Sequence, residues 1–252
     1  MRKLTLLSLF ALLFGALAYG GTAPCQGGAG SASTFNIPCY FYGGDLDLND
    51  PNANALANEN DAIVGGSPYG AATYQNFLWS GGSNPVLGLF TNNLSELSPT
   101  SGYWEVRSGL SEGNGGSLIA SGTESGANFL QTGTGRGVFG IAEYTDAVKF
   151  SSPLTLANGT YWFAMVPVCP TCDGRSFNSN TDGLNSVGTQ ISGQQFFNSQ
   201  FFGANFTNAN NEGTFETFSS GVLAASVPEP GSLLLLGTGI LGGIGALRRR
   251  LF

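Results

Sequence analysis

Along most of the chain, apolar residues come in short alternating or continuous runs bounded by Gly, Pro, Asn or Ser. Between the two ends no long segment repeats its apolar positions at the 3.6-residue helical period. The pattern predicts strands over 35–42, 73–79, 86–91, 103–107, 116–120, 138–143, 154–156, 160–168, 195–202 and 214–223. Short strands rich in aromatic and β-branched residues, with frequent turns, predict an antiparallel β-sandwich, jelly-roll-like in character. The run Tyr161-Trp162-Phe163-Ala164-Met165-Val166 is nearly all apolar, as a strand covered on both faces would be. Just before it, Ala157-Asn158-Gly159-Thr160 carries the Asn-Gly signal of a tight hairpin. Two stretches are polar instead. Residues 45–61 predict a loop with one helical turn near 53–58, and 169–194 predict an edge loop or lid.

The ends follow a different pattern. Met1-Arg2-Lys3 precedes an apolar run from Leu4 to Phe14, broken only by Thr5 and Ser8, and then Ala16-Leu17-Ala18. A basic start, a short apolar run and small residues at an A-x-A site predict a secretory signal peptide over 1–18. The body then occupies 19–226, a length suited to one large all-β domain or two small ones. At the far end, Val227-Pro228-Glu229-Pro230 is followed by an uncharged Leu- and Gly-rich run over 231–247, then Arg248-Arg249-Arg250. That run is at the short end of what spans a bilayer as a helix. The arginines predict a cytoplasmic C-terminus. Pro228 and Pro230 cannot extend a helix from the body and make a stiff, accessible spacer.

Pro-Glu-Pro, a short Gly-rich apolar helix and a terminal Arg cluster, in that order over 227–252, resemble the PEP-CTERM sorting signal. The resemblance implies a membrane peptidase, the exosortase, as partner. It would cut near Val227, Pro228, Glu229 and Pro230 while the helix and Arg248, Arg249 and Arg250 hold the chain in the inner membrane. The expected address is then the cell surface or an exopolysaccharide matrix. Residues 73–168, with Tyr103-Trp104-Glu105-Val106-Arg107 and Gly159-Thr160-Tyr161-Trp162, also resemble uncharacterised β-sandwich proteins bearing that signal. This supports the fold and brings no activity with it.

Charge and cysteine refine the picture. Between Lys3 and Arg248 stand four basic residues against sixteen acidic ones, a net −12, which repels nucleic acid. The cysteines Cys25, Cys39, Cys169 and Cys172 are an even set in an exported chain, so disulfides are expected. Of three pairings, Cys25–Cys39 with Cys169–Cys172 closes the most local loops. Cys-Pro-Thr-Cys also has redox spacing, but no βαβ setting surrounds it.

Candidate chemistry is sparse. The chain has no histidine, which excludes Ser–His and Cys–His nucleophiles and the usual zinc hydrolase sites. Gly109-Leu110-Ser111-Glu112-Gly113 matches G-x-S-x-G in letters, but the pattern predicts a hairpin loop there rather than a strand–helix elbow. Gly135 to Gly140 matches G-x-G-x-x-G without the helix a dinucleotide needs. Asp45, Asp47, Asn49, Asp50, Asn52 and Asn54 are oxygen donors of the kind calcium takes. An EF-hand starting at Asp45 would need Gly where Asp50 stands and Glu where Leu56 stands. A looser calcium site at Asp45, Asp47, Asn49 and Asp50 remains a candidate beside a plain solvated loop, and no other cofactor is expected. Tyr69, Tyr74, Trp79, Tyr103 and Trp104 are candidates by type for stacking on sugar rings, with the core as their plainer destination. The leading expectation is a non-enzymatic surface or matrix protein. The alternatives are a carbohydrate-binding adhesin and a secreted hydrolase.

Overall fold

The computed structural model describes residues 35–46, 48, 54–66, 69–189, 191, 193–209 and 217–224. Among these there is no α-helix. Fourteen strands form: β1 (Cys39–Tyr42), β2 (Ala55–Ala57), β3 (Ala72–Trp79), β4 (Pro85–Ser95), β5 (Ser101–Ser108), β6 (Ser117–Ser125) and β7 (Phe129–Val138). The remainder are β8 (Ile141–Thr155), β9 (Gly159–Val168), β10 (Ser176–Thr181), β11 (Phe196–Ser199), β12 (Ala204–Asn208), β13 (Thr217–Phe218) and β14 (Ser220–Ala224). A six-stranded sheet has the order β12-β11-β3-β9-β5-β6, and the other eight strands make a second sheet. Every strand pair is antiparallel.

The long strand β4 organises the second sheet. One edge pairs with β8 over most of its length. Its other edge is shared, with β14 along Val86–Thr91 and β10 along Asn93–Ser95. In the six-stranded sheet β9 lies between β3 and β5. Period-2 alternation sends Phe163 and Met165 of β9 into the core between the sheets, with Val148 and Phe150 of β8 and Leu89 of β4 opposite. Trp104 of β5 stacks on Phe150 across the gap, ring centres 3.9 Å apart. On the other face of β9, Trp162, Ala164 and Val166 are buried with Tyr74 and Phe196. Both faces of β9 are thus covered, as its unbroken apolar run requires.

Several boundaries differ from the sequence reading. The first strand starts at Cys39, because Phe35 and Asn36 take left-handed backbone (φ 56° and 55°). Residues 138–143 are not one strand but the tip of the β7–β8 hairpin: Val138 ends β7 opposite Ile141, which opens β8, and Phe139-Gly140 turn between them at φ 58° and 81°. Three glycines gave β7 the look of a loop. Asn158-Gly159 does not close a hairpin. β8 and β9 belong to different sheets, and the Asn158 side chain instead accepts a hydrogen bond from Gly82 N–H at 3.1 Å. The helical turn expected near 53–58 is strand β2, recruited by β10 through Asn58 N–H to Ser176 O and Asn180 N–H to Asn54 O. The polar stretch 169–194 holds β10 itself. The strand expected over 195–202 stops at Ser199.

Candidate functional site

The sorting residues Val227, Pro228, Glu229, Pro230, Arg248, Arg249 and Arg250, the leader over 1–18 and Cys25 lie outside the described residues. Cys169 and Cys172 form a disulfide, with Cα atoms 5.3 Å apart. Cys169 N–H donates to Asn60 O and Ala62 N–H donates to Cys172 O, so the bridge pins the 58–66 loop beside the entrance to β10. Cys39 is disulfide-bonded as well, to a partner outside the described residues.

Asp45 is not open to a cation. It accepts the Tyr42 hydroxyl at 2.6 Å and Asn185 Nδ2 at 2.8 Å, and it pairs with Arg136 at 2.9 Å. Arg136 also binds Glu143 at 2.6 Å, so one guanidinium holds two buried carboxylates. Burial, then the Asp45 charge, pushes the Tyr42 phenol well above its usual range. Asp47, Asn49 and Asp50 lie outside the described residues.

The aromatic candidates for stacking on sugars are largely core. Tyr74, Trp79, Tyr103 and Trp104 are buried and Tyr69 is half-buried. Two of them surround buried Glu105. It accepts both the Tyr74 and Tyr103 hydroxyls and pairs with Arg107 at 2.6 Å. Desolvation, then the carboxylate charge, raises both phenols far above their usual range. They remain protonated donors, the opposite of an activated nucleophile. This cluster ties β3 to β5 and presents no vacant oxygen.

An accessible cavity lies elsewhere, between edge strand β2 and the β11–β12 turn. It has a volume of about 480 Å³ and is lined by Ala55–Ala57, Arg175, Phe177, Phe197, Phe202 and Ala204. Arg175 donates from Nε (2.9 Å) and Nη2 (2.7 Å) to Glu59 Oε1, while Ser176 N–H donates to Oε2. Its guanidinium lies over Phe177 and Phe202, 4.9 and 5.7 Å from the ring centres. Burial raises the Glu59 carboxyl, and Arg175 and Ser176 N–H oppose the rise. Among the described residues Arg175 Nη1 donates to no acceptor. The cavity therefore offers three phenyl rings, a neutralised charge and the free Nη1 amino group of Arg175. The sequence reading missed it because Arg175 sits in a polar stretch and its partner Glu59 is 116 positions away. The available hint was that Arg175 is one of only four basic residues between the ends.

Residues 226–250 match the family described as the PEP-CTERM protein-sorting motif. The chain carries a PEP-CTERM sorting motif. It takes in Val227 to Pro230 and Arg248 to Arg250, and it begins just after β14 ends at Ala224. A PEP-CTERM motif supports an exported protein, held for a time in a membrane and processed by an exosortase. No curated protein and no solved structure matches the chain.

Proposed function

We propose that this is a non-enzymatic cell-surface or exopolysaccharide-matrix protein, released or re-anchored by an exosortase acting near Glu229. The PEP-CTERM motif following β14 carries the reading. Three buried carboxylates support the non-enzymatic part: Glu59, Glu105 and Glu143 are each saturated by an arginine and further donors. Intact mass and fractionation of the protein from its native host test the proposal. The expected product lacks the residues up to about Ala18 and those beyond about Pro230. A membrane-bound product that keeps Arg248–Arg250 would reduce the motif to a plain anchor.

The cavity beside β2 favours a second reading, a carbohydrate-binding surface adhesin. Phe202 is 45% exposed at the rim and can stack on the C–H face of a sugar, while Arg175 Nη1 is free to donate to a hydroxyl oxygen. The Arg175–Glu59 pair leaves the cavity without net charge, which suits a neutral glycan. On a glycan array, Phe202→Ser is expected to weaken any binding by about tenfold or more. Binding that survives the substitution would place the ligand on another surface.

A further inference from the structure

We propose that strand β6 is a self-association edge, which pairs antiparallel with β6 of a second copy of this chain. β6 ends the six-stranded sheet and pairs only with β5. No other described residue takes or gives a hydrogen bond on its remaining backbone groups. The outward-facing backbone groups of this nine-residue strand, carried by about every second residue, are a template for another strand.

The side chains strengthen the case. Leu118 and Ile119 are 50% and 44% exposed. Val106 pairs with Ala120 and Arg107 with Leu118, so Ile119 is a bulged residue with no partner on β5. Natural edges are usually guarded by Lys, Pro or inward charges. β6 has no Lys and no Pro. Its one charge, the inward-pointing Glu124, guards only the far end of the strand, where it accepts Ser151 N–H at 2.9 Å and Ser151 Oγ at 3.0 Å. The edge away from Glu124 is uncharged in a chain whose body carries −11. Such a body repels its own copies wherever its acids face outward, so a contact between copies needs an uncharged stretch.

Other edges are guarded. The outer edge of β12 is met by the 109–116 loop, with Gly113 N–H on Phe206 O and Asn208 N–H on Glu112. β2 has three residues. β7 carries three glycines and Arg136.

The β6 sequence is also compatible with itself. Full antiparallel overlap places the two-fold axis at Ser121. Ile119 then faces the partner's Thr123, Leu118 faces the partner's Glu124, and Ala120 faces the partner's Gly122. No like charges meet, and the two Glu124 residues lie at opposite ends of the ladder. The two six-stranded sheets become one continuous sheet with a symmetric, closed interface.

The test uses the purified full chain. Sedimentation equilibrium should show a dimer, and Ile119→Lys should weaken it by about tenfold or more through a charge on the edge. Its melting temperature reports whether the exposed, unpaired position has disturbed the fold. Ser121→Cys gives a second readout: oxidation should yield a disulfide-linked dimer, whereas Ser125→Cys should not, since Ser125 faces the partner's Ser117. A monomeric wild-type chain would overturn the proposal. So would a dimer that ignores Ile119→Lys and does not cross-link through position 121, because that contact would use another surface. Capture of a foreign strand by a monomeric β6 would likewise replace self-pairing.

Discussion

Asp146 is wholly buried on β8, pointing between the sheets with Val148 and Phe150. Asn93 Nδ2 donates to its Oδ2 at 2.8 Å, and its Oδ1 accepts no hydrogen bond. Desolvation pushes its carboxyl up to about 7, which Asn93 and nearby Gln131 only partly oppose. A raised folded-state pKa means that the folded protein holds a proton the unfolded chain releases near pH 4. The contribution to stability is then full below about pH 4 and is lost as pH rises to about 7. Asp146→Asn should remove this dependence. Unfolding free energies of wild type and variant should diverge between pH 4 and pH 8, by about 2–4 kcal/mol in the variant's favour at the higher pH. Parallel pH profiles would mean that Asp146 is charged throughout. Nothing in the sequence singles out Asp146 among sixteen acids; its burial follows from strand alternation and the β4–β8 register.

At the level of elements, the β7–β8 hairpin turns through Phe139-Gly140 with both residues at positive φ. That geometry suits Asn-Gly, whereas a bulky residue at the first position is strained by about 1–2 kcal/mol. Phe139 is 71% exposed, so little burial compensates. Phe139→Asn should stabilise the protein by about 1 kcal/mol in urea titration. A loss of stability would mean that the ring makes a contact worth more than the strain. The same turn shows why some strands were legible and others were not. β9 and β3 announce themselves by aromatic runs, because each is covered on both faces. β2, β7 and β10 are mostly alanines, glycines and hydroxyl or amide residues, and they are strands because neighbours offer them hydrogen bonds. Asn158-Gly159 misleads for the same reason. Its local turn preference loses to the pairing of β9 with β3 and β5.

On the scale of the whole molecule, the all-β class and the C-terminal sorting motif were readable, because both rest on patterns within a few tens of residues. The cavity was not, since it joins Ala55 to Ala204 and depends on how two sheet edges meet. Nor was the polar half of the interior. There Asn58 donates to Asn93 and Met165 O, and Asn178 donates to Thr73 and Ser220. Such amides read as loop residues until their partners, distant in sequence, are known.

The position of β14 has a consequence in time. It is the last strand of the body, yet it lies inside its sheet, between β1 and β4. β1, near the start of the body, has β14 as its only strand partner among the described residues. If the chain is exported N-terminus first, β1 stays without its β14 partner until Ser220–Ala224 has crossed. The residues that follow immediately are the sorting motif. In that order of export, closure of the sandwich and arrival of the sorting signal would fall at the same moment, and a processing enzyme would meet a body that has only just become able to finish folding.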